Sequence, residues 1–172
     1  DTVIAPISNS INDFEFKEEK ENYFLFMSRL NEDKGLQVFF DLAAYFPNKR
    51  FVLAGQGEKP KMQLKNIEFA GYLNLETRKK YVANAKAMIT PTYYVEPFGL
   101  TASESALSGT PIITTDWGGY TDNVINGKTG FRCQYFSDFV EAINKIENIS
   151  PHDCRKHGEK FTAESLINKW ID

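Results

Sequence analysis

Apolar positions in this chain fall into short unbroken runs separated by stretches of helical period. Residues 23–27, Tyr-Phe-Leu-Phe-Met, are apolar throughout with no alternation, and the polar stretch 28–34 follows. Over 35–46 the polar residues are confined to Gln37, Asp41 and Tyr45, the spacing of one helix face, and Pro47 comes next. The unit recurs. Run 51–54 leads to Gly55 and Gly57, run 67–70 to a helical stretch over 75–85, run 86–90 to a loop and a helix over 99–108, and run 111–114 to Gly118 and Gly119. A strand that is apolar at every position is buried on both faces, which is the situation of a parallel sheet covered by helices. The pattern predicts an α/β, Rossmann-like doubly wound parallel sheet with helices on both faces. Residues 137–170 predict two or three amphipathic helices, with Ser150-Pro151 at one joint.

One domain over 1–172 is expected: a linker over 1–22 with one local contact through Phe14 and Phe16, a sheet core over 23–135, and carboxy-terminal helices over 136–172. At 172 residues, 42% hydrophobic and 14% aromatic, the chain can bury a sizeable core without disulfides or metal. The opening Asp1 to Pro6 carries no Met and no signal-peptide pattern, and it reads as the start of an excised domain. No apolar run approaches the ~20 residues that span a bilayer, so membrane association is expected only through regions outside this chain. A net charge of −3 with scattered lysines argues against a nucleic-acid partner. Cys133 and Cys154 make neither a metal set nor a disulfide framework and read as thiols of a reducing, cytoplasmic compartment. His152 and His157 are expected at the surface.

Ligands of such sheets bind beyond the carboxyl ends of the strands, which directs attention to the loops at 28–34, 55–59, 71–74, 91–98 and 115–120. In 91–104, Pro97 and Gly99 end an irregular loop and a small-residue helix begins. Its free N–H groups suit a phosphate or a sugar hydroxyl. Glu104 lies about 7.5 Å along that helix, on a stripe with Leu100, Ser103 and Leu107. A carboxylate there needs hydrogen-bond donors, and the adjacent hydroxyls of a ribose would serve; a solvated helix residue is the alternative. Arg29 and Lys34 flank the loop after the first strand and suit a diphosphate, although two cations in a polar loop also read as surface charge. Gly55 and Gly57 permit close backbone approach or simply form a turn. No Asp-x-Asp pair, Gly-x-x-x-x-Gly-Lys-Ser/Thr phosphate loop or Gly-x-Ser-x-Gly elbow is present, so metal, P-loop and hydrolase chemistry find no support.

Taken together these loops resemble the donor-binding half of the retaining glycosyltransferases of family 4, the group 1 family with the GT-B fold. The resemblance is carried by Glu96-Pro97-Phe98-Gly99-Leu100-Thr101-Ala102-Ser103-Glu104, with seven residues between its two glutamates, followed by Ser108-Gly109-Thr110-Pro111. Ser28-Arg29-Leu30 to Lys34-Gly35, Gly55-Gln56-Gly57, Gly71-Tyr72-Leu73, Gly118-Gly119 and Asn126 to Phe131 stand in the family's order. It implies that Arg29 and Lys34 hold the diphosphate of a nucleotide-sugar donor, that Glu104 binds the ribose, and that Glu96 contacts the sugar. It further implies that the amides of Phe98, Gly99 and Leu100, with Thr101 beside them, lie against sugar and phosphate. Tyr72 and Leu73 border the base, and Gly55 and Gly57 complete the donor site. No metal or other cofactor is implied, and the acceptor site belongs to an amino-terminal domain that this chain lacks. Asp122 departs from the glutamate usual after the two glycines. A nucleotide-sugar epimerase of similar architecture and a non-catalytic nucleotide-sugar binding module are the alternatives.

Overall fold

The computed structural model describes residues 10–61, 64–163 and 165. Six strands form one sheet: β1 (Tyr23–Met27), β2 (Arg50–Ala54), β3 (Ile67–Gly71), β4 (Ala87–Thr90), β5 (Ile112–Thr115) and β6 (Gly130–Cys133). Every pairing is parallel and the order is β3-β2-β1-β4-β5-β6. The helices are α1 (Leu36–Tyr45), α2 (Leu75–Asn84), α3 (Leu100–Leu107), α4 (Tyr120–Asn123), α5 (Phe136–Lys145) and α6 (Pro151–Gly158). The expected doubly wound α/β fold is therefore observed. No helix among the described residues is long and apolar enough to cross a membrane.

The unbroken apolar run of β1 has its cause in two cores. Phe24 and Phe26 point to one face, where they meet Phe39 of α1, Phe51 of β2 and Ile143 of α5. Tyr23, Leu25 and Met27 point to the other, with Val82 of α2, Ala102 of α3 and Tyr120 of α4. Successive side chains of a strand alternate faces, so a strand buried on both must be apolar at each position.

Four details differ from the sequence reading. Gly130–Cys133 is a strand, and Tyr120–Asn123 is a short helix. The segment expected as a linker with one local contact is held at several points. Phe14 is buried, and Lys20 Nζ donates to Ala83 O (2.8 Å), Ser108 O (3.0 Å) and Thr110 Oγ1 (3.0 Å), tying the ends of α2 and α3 together. Burial pushes Lys20 down to about 8. His157 is not a surface residue: it is 7% exposed, because α6 packs flat on α3 with Gly158 against the backbone of Ala106 and Leu107. The tail supplies α5 and α6, within the two or three helices expected, and residues 166–172 lie outside the described residues.

Candidate functional site

The strand order reverses direction between β1 and β4, so the loops that follow these two strands splay apart and leave a crevice. A cavity of about 410 Å³ opens there, lined by Met27, Ser28, Arg29, Lys34, Glu96, Pro97, Phe98, Gly99, Leu100 and Thr101. Seven of the twelve residues singled out from the sequence are in that lining: Arg29, Lys34, Glu96, Phe98, Gly99, Leu100 and Thr101.

The two loops are stitched at one carbonyl. Asp33 O accepts from Thr92 Oγ1 (3.0 Å), Tyr93 N (2.8 Å) and Tyr94 N (3.2 Å), which fixes the loop after β1 against the loop after β4. Next to that joint Lys34 ends a single turn, Glu32–Lys34, capped by Asn31 Oδ1 at 3.2 Å. Its ammonium pairs with Glu96 and stands 4.7 Å from the centroid of the Tyr94 ring. Both charged side chains are largely buried, at 12% and 20% exposure. Arg29 is exposed at the rim.

The Glu96 loop is clamped from behind. Gly119 N donates to Glu96 O at 2.7 Å, and Asn123 Nδ2 donates to Phe98 O. Gly99 opens α3 at φ 79°, ψ 60°, a left-handed conformation that glycine adopts without steric cost. A Cβ there would lie 2.7 Å from the Tyr120 ring, which is buried beneath the turn and bonds Thr101 Oγ1 at 3.0 Å through its hydroxyl. Burial pushes the Tyr120 phenol up. The α3 amino terminus is thereby aimed into the cavity with a fixed backbone.

Glu104 is buried on α3 and so is not a solvated helix residue. The charged partner it has is Arg78 of α2, at 3.3 Å, which sequence reading missed because the two lie 26 positions apart on different helices. Burial pushes the Glu104 carboxyl up, and Arg78 offsets part of that. Glu104 is not among the residues that line the cavity. Gly55 also stands behind the lining: a Cβ there would meet Ser28 O at 1.7 Å, so its need for glycine is the close approach of the two strand-end loops. Gly57 packs likewise on Leu30. Tyr72 is 75% exposed and Leu73 is half-buried beside the α2 core, and neither lines the cavity. Among the described residues no group of three or more His, Cys, Asp or Glu side chains is placed to hold a metal ion. Asp122, the departure noted in the sequence, is exposed.

Comparison with known proteins places this arrangement. The family model described as "Glycosyl transferases group 1" matches residues 8–161. A glycogen synthase of Mycobacterium tuberculosis is 33% identical over 125 residues, covering 63% of this chain and 29% of that protein. The crystal structure of AviGT4, a glycosyltransferase involved in avilamycin A biosynthesis, superposes with a TM-score of 0.80 at 22% identity, covering 99% of this chain and 57% of that one. Anabaena HepE in complex with UDP superposes with a TM-score of 0.78 at 16% identity, covering 95% and 54%. The chain thus spans less than two thirds of the length of each.

Proposed function

This chain belongs to the group 1 glycosyltransferases, and we propose that it is the donor-binding half of a retaining, metal-independent transferase that moves a sugar from a nucleotide-diphospho-sugar to an acceptor. The observation that carries the reading is the meeting of Lys34, Arg29, Glu96 and the amino terminus of α3 around one cavity at the carboxyl ends of β1 and β4. A diphosphate needs positive potential at fixed positions. Lys34 supplies a point charge, Arg29 a planar fork, and the first turn of α3 its unpaired N–H groups and dipole. Together they take the role a divalent cation would otherwise have.

In the reaction the bond from the sugar's anomeric carbon to the terminal phosphate oxygen breaks, and its electron pair leaves with the diphosphate. The acceptor oxygen bonds the same carbon on the face just vacated, and its proton passes to the departing phosphate or to solvent. Charge that develops on the leaving oxygen is stabilised by Lys34, Arg29 and the α3 amides, which need no reorganisation because Asn123, Gly119 and Tyr120 already hold their loop. Glu96 takes hydroxyls of the sugar. Glu104 takes the ribose diol at the inner end, while Gly55, Gly57, Tyr72 and Leu73 form the outer end toward the base. The acceptor site lies on an amino-terminal domain outside this chain. Two buried free thiols, Cys133 and Cys154, each pushed up to about 12 by burial, suit a reducing cytoplasm.

The test is calorimetric titration of the 172-residue chain with UDP, GDP, ADP and their sugars, in chelator and in magnesium. UDP is the first probe because HepE was crystallised with it. We expect one nucleoside diphosphate to bind with the same affinity in both buffers. Binding to none overturns the donor-site reading, and binding that vanishes in chelator overturns metal independence.

A further inference from the structure

His157 of α6 lies behind the cavity, and the proposed reaction does not use it. Its Nε2 stands 2.9 Å from Asn123 O. A carbonyl only accepts, so Nε2 carries the proton and the ring donates. Nδ1 is buried without a hydrogen-bond partner, which leaves the neutral ring with Nδ1 unprotonated as the species that fits. Burial pushes the His157 imidazole down, the bond to Asn123 O opposes this in part, and the Lys160 and Lys128 cations add to the lowering.

Two routes lead from this ring to the cavity wall. The polar route runs through Asn123, whose backbone carbonyl accepts the hydrogen bond from His157 Nε2 and whose side-chain amide donates to Phe98 O. The aromatic route runs through Phe161, which packs edge-on against His157 (centroids 5.1 Å, 82°) and against Phe98 (5.8 Å, 72°). Phe98 directly precedes Gly99, so both routes end where the α3 amide groups turn into the cavity. The support is itself rigid, because Arg155 Nη1 donates to Leu107 O and anchors α6 to the far end of α3.

We infer that His157 is a positioning residue for the donor site: acting through Asn123 and Phe161 it sets the orientation of the Phe98–Gly99 amides that receive the diphosphate. The inference rests on the donor-site reading. It assigns to the carboxy-terminal helix, which touches no donor, control over how tightly donor is held. A bond that only held α6 in place would affect melting and leave affinity alone.

The test compares three variants of the 172-residue chain by UDP calorimetry (GDP or ADP if wild type prefers it) and by thermal melting. His157→Gln places an amide N–H near the position of Nε2, His157→Asn keeps an amide but falls short of Asn123, and His157→Leu fills the volume with no donor. Loss of one buried hydrogen bond corresponds to about three- to tenfold in affinity, expected for the Asn and Leu variants, with Gln within about threefold of wild type. If the Leu variant does not fold, the Gln and Asn pair decides. Wild-type affinity in the Asn variant, or equal loss in Gln and Asn, overturns the inference while leaving the donor site intact. Failure of wild type to bind any nucleoside diphosphate is a different result, which removes the donor site and the inference together.

Discussion

Arg78 Nη2 of α2 lies 3.3 Å from Glu104 Oε1 of α3, and this pair joins the two helices beneath the cavity. The partners are unequally buried: Glu104 is nearly enclosed, while a third of the Arg78 side chain is exposed. Removing a carboxylate from water costs more than one partly solvated guanidinium returns, which is why the Glu104 carboxyl is pushed up from its ordinary 4.5. When ionised, this carboxylate reduces the stability of the unliganded domain. In the proposed donor site a ribose diol would donate to it.

Glu104→Gln is therefore expected to separate stability from binding. A folded-state value above the unfolded one means that the acid's contribution is fully present below 4.5 and is lost as pH rises through the folded value. At pH 7 the variant should melt at or above the wild-type temperature, with the gap closing as pH falls below 4.5. Affinity for a nucleoside diphosphate should drop by about 1.5–3 kcal/mol, the value of a hydrogen bond to a charged group. Melting curves across pH and one titration series check both halves.

Lys34 and Glu96 neutralise one another in the unliganded cavity, where both are mostly shielded from solvent. An incoming diphosphate must compete with the Glu96 carboxylate for the ammonium and is repelled by it. Glu96→Gln should bind free UDP about two- to tenfold more tightly than wild type, while the added affinity of UDP-sugar over UDP disappears. Lys34→Met should weaken both ligands by about ten- to a hundredfold. Weaker UDP binding by Glu96→Gln would mean that the pair supports the phosphate site rather than occupying it.

Five of the six strands were legible as short apolar runs, the edge strand β3 among them, and β6 was not. β1, β2, β4 and β5 are near-continuous apolar runs. β6 reads Gly-Phe-Arg-Cys at an edge with its middle residues half-buried, so no such run marks it. The cavity lining was legible because its residues are contiguous in two loops. Arg78, Asn123 and His157 were not, since each acts across a tertiary contact between elements distant in the chain and nothing local distinguishes it from an ordinary polar helix residue. Gly118-Gly119 stood out in the sequence only as a glycine pair after a strand; its function in the fold, donating to Glu96 O, depends on a loop more than twenty residues away.

Gly99→Ala tests whether the α3 start is as fixed as it looks. The left-handed backbone there strains any Cβ, and this Cβ would also meet the Tyr120 ring at 2.7 Å. The expected loss is about 1–3 kcal/mol of stability in urea unfolding, with donor affinity reduced in parallel. Gly127→Ala is the control, having φ 75° with open space around it, and should cost only the backbone strain of about 1–2 kcal/mol with no change in binding.

Transfer itself should be absent from this chain alone. The cavity is bounded by the loops after β1 and β4 and opens to solvent on its remaining side. In the proposed reading the acceptor hydroxyl is held by the other domain, and orienting two reactants accounts for much of an enzymatic rate. Water on the open side also screens Lys34, Arg29 and the α3 dipole, so a departing diphosphate is stabilised less than in a closed cleft. Incubating the 172 residues with the tightest-binding nucleotide sugar and a panel of acceptors should release nucleoside diphosphate no faster than the uncatalysed background. Fusion to the amino-terminal domain of its own protein should restore release together with a glycosylated product. Release by the chain alone at an enzymatic rate, matched by product, would place the acceptor site within these residues and refute the half-cleft reading.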